Sequence, residues 1–190
     1  MLQQLEITAE KSFIGGWFID PDLCDRLIGH FEGCDQKGPG RTGNGVDKRV
    51  KDSTEVNMDI SVSIVKEYVV QLQLVTTQYI NMYPECARTY RWEVESANIQ
   101  KYDPGGGFYL WHTERTSLDP HVVGRHLVFM TYLNDVTDAG ETEFYYQKTK
   151  IKPQKGLTLI WPVDWTHTHR GIPSPTQTKY IVTGWFVFIE

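Results

Sequence analysis

Two short stretches of the chain place metal-binding residue types two positions apart. In FYLWHTERT (108–116) these are His112 and Glu114, and in WTHTHRG (165–171) they are His167 and His169. Side chains two apart on a β-strand leave the same face, so an imidazole nitrogen and a carboxylate oxygen can converge on one ion. A His-x-Glu pair arises easily by chance; a third ligand from the second stretch gives it meaning. Two imidazoles and one carboxylate suit a divalent transition metal, with coordination positions left open for chemistry. Lys179 follows His169 by ten residues, across RGIPSPTQT. The prolines and glycine there predict a turn joining a hairpin, which would return Lys179 to His169 and aim its ammonium at an anion beside the metal.

The elements around these residues follow from periodicity and punctuation. SFIGGWFI (12–19) reads as a short strand, and DPDLCDRLIGHFEG (20–33) as a helix with Asp20 as N-cap, Pro21 in its first turn and Gly33 past its end. Residues 35–48, DQKGPGRTGNGVDK, are polar and glycine-rich and read as a mobile surface loop. Over 59–83, Ile60, Ile64, Val65, Tyr68, Val69, Leu72, Val75, Tyr79 and Ile80 form one 3.6-residue stripe, predicting a helix that backs onto a sheet and stops at Pro84.

After residue 88 the period becomes two. Tyr90, Trp92, Val94, Ser96, Asn98, Gln100 and Tyr102 are expected on one strand face that begins apolar and turns polar, as a strand does when it enters a pocket. Further strands are expected at 124–135, 140–147, 156–162, 165–171 and 179–190, several apolar on both faces and therefore covered on both sides. Helices followed by short strands between Gly, Pro and Asp turns indicate an α+β chain whose core is an antiparallel barrel or jelly roll.

Composition bounds what such a chain does. With 190 residues, 40% hydrophobic and 13% aromatic, it can bury one full core. A net charge of −5 argues against nucleic-acid binding, which needs basic surface, but leaves room for a small basic pocket. Cys24, Cys34 and Cys86 form no Cys-x-x-Cys, fit reduced thiols and have no base beside them to suggest a nucleophile. The N-terminus lacks the pattern of a secretory signal, and no segment approaches the apolar length of a membrane span, so a soluble cytoplasmic protein is expected.

Taken in order, Tyr109, His112, YLNDVTDAGETEF, His169, Lys179 and Trp185 resemble the Fe(II)/2-oxoglutarate oxygenases, in particular their prolyl 4-hydroxylase-like branch. The similarity spans about residues 96 to 188, through NIQKYDPGGGFYLWHTE, LVFMTYLNDVTDAGETEF, IKPQKGLTLIWP and HRGIPSPTQTKYIVTGW. Two positions depart from the family pattern. Glu114 stands where the carboxylate is usually Asp, one methylene shorter, and Ala139-Gly140 replaces Gly-Gly. A carboxylate at this place disfavours the halogenase variant, which lacks one.

The resemblance implies a double-stranded β-helix over about 88–190 with helical support over 20–84, together one domain over 1–190. It implies Fe(II) held by His112, Glu114 and His169, and 2-oxoglutarate paired through its far carboxylate with Lys179 and Tyr109. O2 would then drive decarboxylation to succinate and CO2 with hydroxylation of a C–H bond, ascorbate being a possible reductant. His169 rather than His167 has the family's spacing to Lys179. Asn98, Gln100, Tyr102, His167 and Trp185 are candidates for the pocket or for groups behind the ligands, and the 35–53 loop with Arg41, Arg49 and Lys51 for a cover. Arg125 and His121 read as surface residues, and Asp119 and Asp164 as turn residues.

The expected partner is a peptide, protein or small-molecule substrate, prolyl or another amino acid, with no nucleic acid and no membrane; the sequence carries no signal of oligomeric state. Two other readings compete. One is a cupin-like enzyme in which His167 and His169 both bind Zn2+, Mn2+ or Ni2+. The other is a non-catalytic jelly-roll binding module, which must treat the ordered set of residues as accident.

Overall fold

The computed structural model describes residues 12–43, 45–88 and 90–189, with the side chain of His121 outside the described part. The first helix, α1 (Pro21–Gly33), starts where Asp20 accepts a hydrogen bond from the Asp22 amide at 2.9 Å, and it buries Leu23, Cys24, Leu27 and Phe31. The second, α2 (Ser63–Met82), buries Val65, Tyr68, Leu72, Val75 and Tyr79. It begins later than the periodicity predicts, because the Asp59 carboxylate accepts from the Ser61 amide at 2.7 Å and turns the chain there. Ile60 is left exposed before the helix rather than on its stripe.

Eleven strands among the described residues form two antiparallel sheets. The larger holds β1 (Gly15–Phe18), β9 (Leu157–Pro162), β6 (Arg125–Tyr132), β11 (Lys179–Ile189), β4 (Arg91–Tyr102), β3 (Thr54–Asn57) and β2 (Gly38–Pro39), in that order across it. The smaller holds β5 (Phe108–His112), β10 (His169–Gly171), β7 (Thr142–Phe144) and β8 (Thr149–Ile151). Leu127 and Phe129 of β6 pack with the helices, while Val128, Met130 and Tyr132 of the same strand pack between the sheets. A strand covered on both faces has no polar alternation, which is why β6 reads as apolar throughout. Two facing antiparallel sheets with helices on the outside of one make a jelly-roll α+β fold.

Several expectations are corrected. The hairpin between His169 and Lys179 does not exist: β10 pairs with β5 and β7 in the small sheet, and β11 with β4 and β6 in the large one. Residues 172–178 cross between sheets, and facing sheets rather than a hairpin bring Lys179 near β10. The expected common face of β4 is split by a register slip opposite Trp185 and Phe186, where Ser96 and Val94 are paired and Glu95 is the extra residue. Trp92 and Val94 therefore pack toward the helices with Ala97 and Ile99. The strand expected over 165–171 is a 3-10 turn over Trp165–His167 before β10.

Both ends of the 35–53 segment are docked rather than loose. Its β2 pairs with β3, the Asp52 amide donates to Gly107 O at 2.9 Å, and Val50 O accepts from the Tyr109 amide at 2.9 Å. Lys51 is buried against Glu55 in an ion pair, so this segment is docked onto β5. Arg49 stays exposed and pairs with Asp47 at 2.8 Å.

Candidate metal centre

His112 ends β5 and His169 begins β10, and the two are direct partners across the small sheet. Glu114 lies just beyond β5, its position fixed by its amide donating to Val163 O at 3.1 Å. The Nε2 atoms of both histidines stand 3.4 Å from the same oxygen, Glu114 Oε1. One ligand atom from each of the three side chains lies within 4.8 Å of the others.

The tautomers follow from the neighbours. His112 Nδ1 is 3.0 Å from Leu110 O, and His169 Nδ1 is 2.9 Å from His167 O. A carbonyl only accepts, so each Nδ1 carries the proton and each Nε2 presents a lone pair toward the carboxylate. Three lone-pair atoms facing one another need a cation among them, and a divalent metal suits this nitrogen and oxygen set. Burial pushes His112 below its usual value, against the opposing pull of Glu114, which keeps the ring neutral and its Nε2 free to bind. Burial raises Glu114, and only protons on the facing imidazole nitrogens would outweigh it and hold the carboxyl well below its ordinary range, the role that a metal cation takes among these three groups.

Aromatic rings fix both imidazoles. Phe108 stacks on His112 with centroids 3.6 Å apart and planes within 7°. Trp161 meets His169 edge-on at 5.1 Å, and Phe144 lies 5.7 Å away. On the other side of the carboxylate, Trp185 Nε1 donates to Glu114 Oε2 at 3.1 Å.

Lys179 lies within the barrel and is 4% exposed. Its ammonium donates to Gly140 O at 2.8 Å and Ile172 O at 3.3 Å, and no carboxylate pairs with it among the described residues. Burial pushes its pKa down to about 8, with Glu141 pulling the other way. Tyr102 is its cross-strand partner, with the ammonium 5.2 Å from the ring centroid and the hydroxyl donating to Gln100 Oε1 at 2.7 Å. A buried cation held by carbonyl dipoles and an aromatic face lacks the counter-charge that a carboxylate would supply.

Other expected site residues fall elsewhere. Tyr109 is spent elsewhere, its hydroxyl donating to Gly105 O at 3.0 Å. Tyr102, not Tyr109, accompanies Lys179. His167 is buried with Nε2 2.9 Å from Ser12 O and Nδ1 3.0 Å from Thr166 Oγ1, so both ring nitrogens are engaged away from the metal ligands. Gln100 and Tyr102 are buried on the barrel side of β4, and Asn98 shares that side by alternation. Arg125 is not a surface residue: its guanidinium pairs with Glu95 at 3.0 Å and lies 3.7 Å over the Trp185 ring. Sequence periodicity could not find it, because its partner is the unpaired residue of the β4 bulge. Phe108 also went unnoticed, although its spacing of four from His112 on one strand face was a usable signal.

Residues 97–187 match the pattern of the 2OG-Fe(II) oxygenase superfamily. No curated protein matches the chain. Among solved structures, the viral collagen prolyl hydroxylase of Paramecium Bursaria Chlorella virus-1, in its 2OG complex, superposes with a TM-score of 0.71 at 22% identity, over 94% of this chain and 97% of that one. A Pseudomonas putida prolyl-4-hydroxylase gives 0.72 at 16% identity over 92% of each chain. A Trichoplax adhaerens prolyl hydroxylase, in complex with a hypoxia inducible factor oxygen degradation domain peptide fragment, gives 0.74 at 16% identity over 92% of this chain and 83% of that one. The superfamily's cofactors, Fe(II) and 2-oxoglutarate, suit the His-Glu-His donor set. Residues 97–187 thus carry the pattern of the 2OG-Fe(II) oxygenase superfamily, within a fold shared with prolyl hydroxylases.

Proposed function

We propose that the protein hydroxylates a C–H bond of a prolyl or other peptidyl or amino-acid substrate, with His112, Glu114 and His169 as the iron ligands. The observation that carries this is the convergence of two unprotonated Nε2 atoms on Glu114 Oε1, in the barrel that also buries the unpaired ammonium of Lys179. Bound Fe(II) and 2-oxoglutarate would supply the oxidation of the C–H bond by O2, releasing succinate and CO2.

The chain's own residues do the rest. Lys179 pairs with the far carboxylate of 2-oxoglutarate and so orients its keto-acid end toward the metal. Tyr102 walls that subsite. Phe108, Phe144 and Trp161 hold the imidazoles and keep water from their flanks. Leu110, exposed two residues before His112 on β5, is offered to the substrate. The peptide bound to the Trichoplax neighbour and the collagen named for the viral one favour a peptidyl substrate. Three cysteines that form no disulfide fit a cytoplasmic location, and no helix among the described residues is long and apolar enough to cross a membrane. We take residues 1–190 to work as one domain.

The test is anaerobic visible spectroscopy of metal-free protein titrated with Fe(II) and 2-oxoglutarate. A charge-transfer band is expected in the wild type and in His167→Ala, and none in His169→Ala. Loss of the band in both variants would favour the cupin-like use of both histidines. Proline-containing peptides incubated with the complete system should then gain one oxygen by mass spectrometry, together with succinate.

A further inference from the structure

The Trp185 hydrogen bond ends a chain of contacts that begins at a backbone irregularity. At the β4 bulge Glu95 is left without a register partner, and its carboxylate reaches Arg125 Nε at 3.0 Å. A bulge re-aims a side chain, and here it aims an anion at the guanidinium. That guanidinium lies 3.7 Å over the Trp185 ring, and Arg125 Nη1 also approaches Glu114 O at 3.4 Å. A cation over an indole draws on its π-density and strengthens the N–H as a donor. The N–H is spent on Glu114 Oε2, while Oε1 faces both imidazoles.

We propose that Glu95, Arg125 and Trp185 act as positioning residues that hold Glu114 to a single metal-bound oxygen. A glutamate carries one more methylene than an aspartate, and its freer carboxylate could rotate to give the metal both oxygens. That would occupy a coordination position the chemistry needs open. The indole N–H removes that freedom by engaging Oε2. The extra methylene is what lets one carboxylate span from the indole to the imidazoles. The proposal rests on the metal centre described above but concerns its geometry rather than its reaction.

The test is calorimetric titration of the metal-free protein with Co(II) alone, with visible absorption of the bound ion, in wild type, Trp185→Phe and Glu95→Gln, and in the first pair again with Glu114→Asp. Trp185→Phe keeps a ring for Arg125 to cover but removes the N–H. It is expected to weaken Co(II) binding about 10–100-fold, as loss of a ligand's outer hydrogen bond does, and to change the absorption as Oε2 joins the ion. Glu95→Gln should weaken binding in the same direction by less. In the Glu114→Asp background the shorter carboxylate does not reach the indole, so Trp185→Phe should change little. Equal affinity in wild type, Trp185→Phe and Glu95→Gln overturns the proposal. So does the same loss in both backgrounds, which would mark Trp185 as packing only. If Trp185→Phe does not fold, Glu95→Gln decides alone, and unchanged affinity there overturns it. Wild-type protein that takes up no Co(II) overturns the metal centre itself, a result distinct from these.

Discussion

Lys179 carries its charge where the protein offers only two carbonyl dipoles and an aromatic face. Burial lowers its pKa from 10.5 to about 8, so between those values the unfolded chain binds a proton that the folded chain does not. Stability of the ligand-free protein should accordingly rise as pH climbs from about 8 toward 10.5, while below about 8 the cost of the buried charge is fully present. A bound carboxylate supplies the missing counter-charge and restores the proton. Affinity for 2-oxoglutarate should therefore fall about tenfold per pH unit above pH 8. Calorimetry across pH 7 to 10 checks both, and Lys179→Met should bind weakly with no such slope. A flat profile in wild-type protein would mean that Lys179 does not face the cosubstrate.

At the scale of elements, β11 is where the molecule is least forgiving. It pairs with β4 on one side and β6 on the other, and it carries Lys179 and Trp185 into the barrel. Between these two residues Gly184 faces the helices, with Phe129 filling the space a side chain would take. A Cβ there would meet Phe129 Cζ at 2.4 Å and Ser96 O at 2.2 Å. Gly184→Ala should cost about 1–3 kcal/mol, as overpacking of a filled core does, and should also displace Trp185 beside the bulge. Chemical denaturation measures the first effect, and Co(II) affinity the second. The bulge itself was not legible in the sequence. TYRWEVESANIQKY alternates without a break, and only pairing with a bent neighbour decides that Glu95 is the residue left over.

For the whole molecule, the site is divided between the sheets. The small sheet and the segment just after β5 supply His112, Glu114 and His169, and the large sheet supplies Lys179, Tyr102 and Trp185. Metal and 2-oxoglutarate bound together would tie the two sheets, whereas metal alone engages one side. A redox-inert ion such as Mn(II) should raise the melting temperature, and 2-oxoglutarate should raise it further only when the ion is present. Each ligand at a hundredfold excess over its dissociation constant adds about 2.7 kcal/mol. Lys179→Met should keep the first increment and lose the second. An equal 2-oxoglutarate increment without metal would place the cosubstrate outside the proposed site.

The sequence by itself determined the parts whose signals are local. The Asp20 cap and Pro21 fix the start of α1, the apolar stripe fixes α2, and unbroken apolar runs mark strands covered on both faces. The set His112, Glu114 and His169 that the structure brings together was also written there, because residue types and their intervals survive without knowledge of the path between them. Tertiary structure alone decided what each side chain faces. His167 and His169 are identical in type and two residues apart, yet a 3-10 turn gives one ring to Ser12 O and Thr166 and the other to Glu114. Tyr109 and Tyr102 exchange places for the same kind of reason, since the Tyr109 hydroxyl is spent on Gly105 O while pairing of β4 with β11 brings Tyr102 to Lys179. Such choices depend on which strands pair and in what register, and those are settled by burial of the whole core rather than by neighbours along the chain.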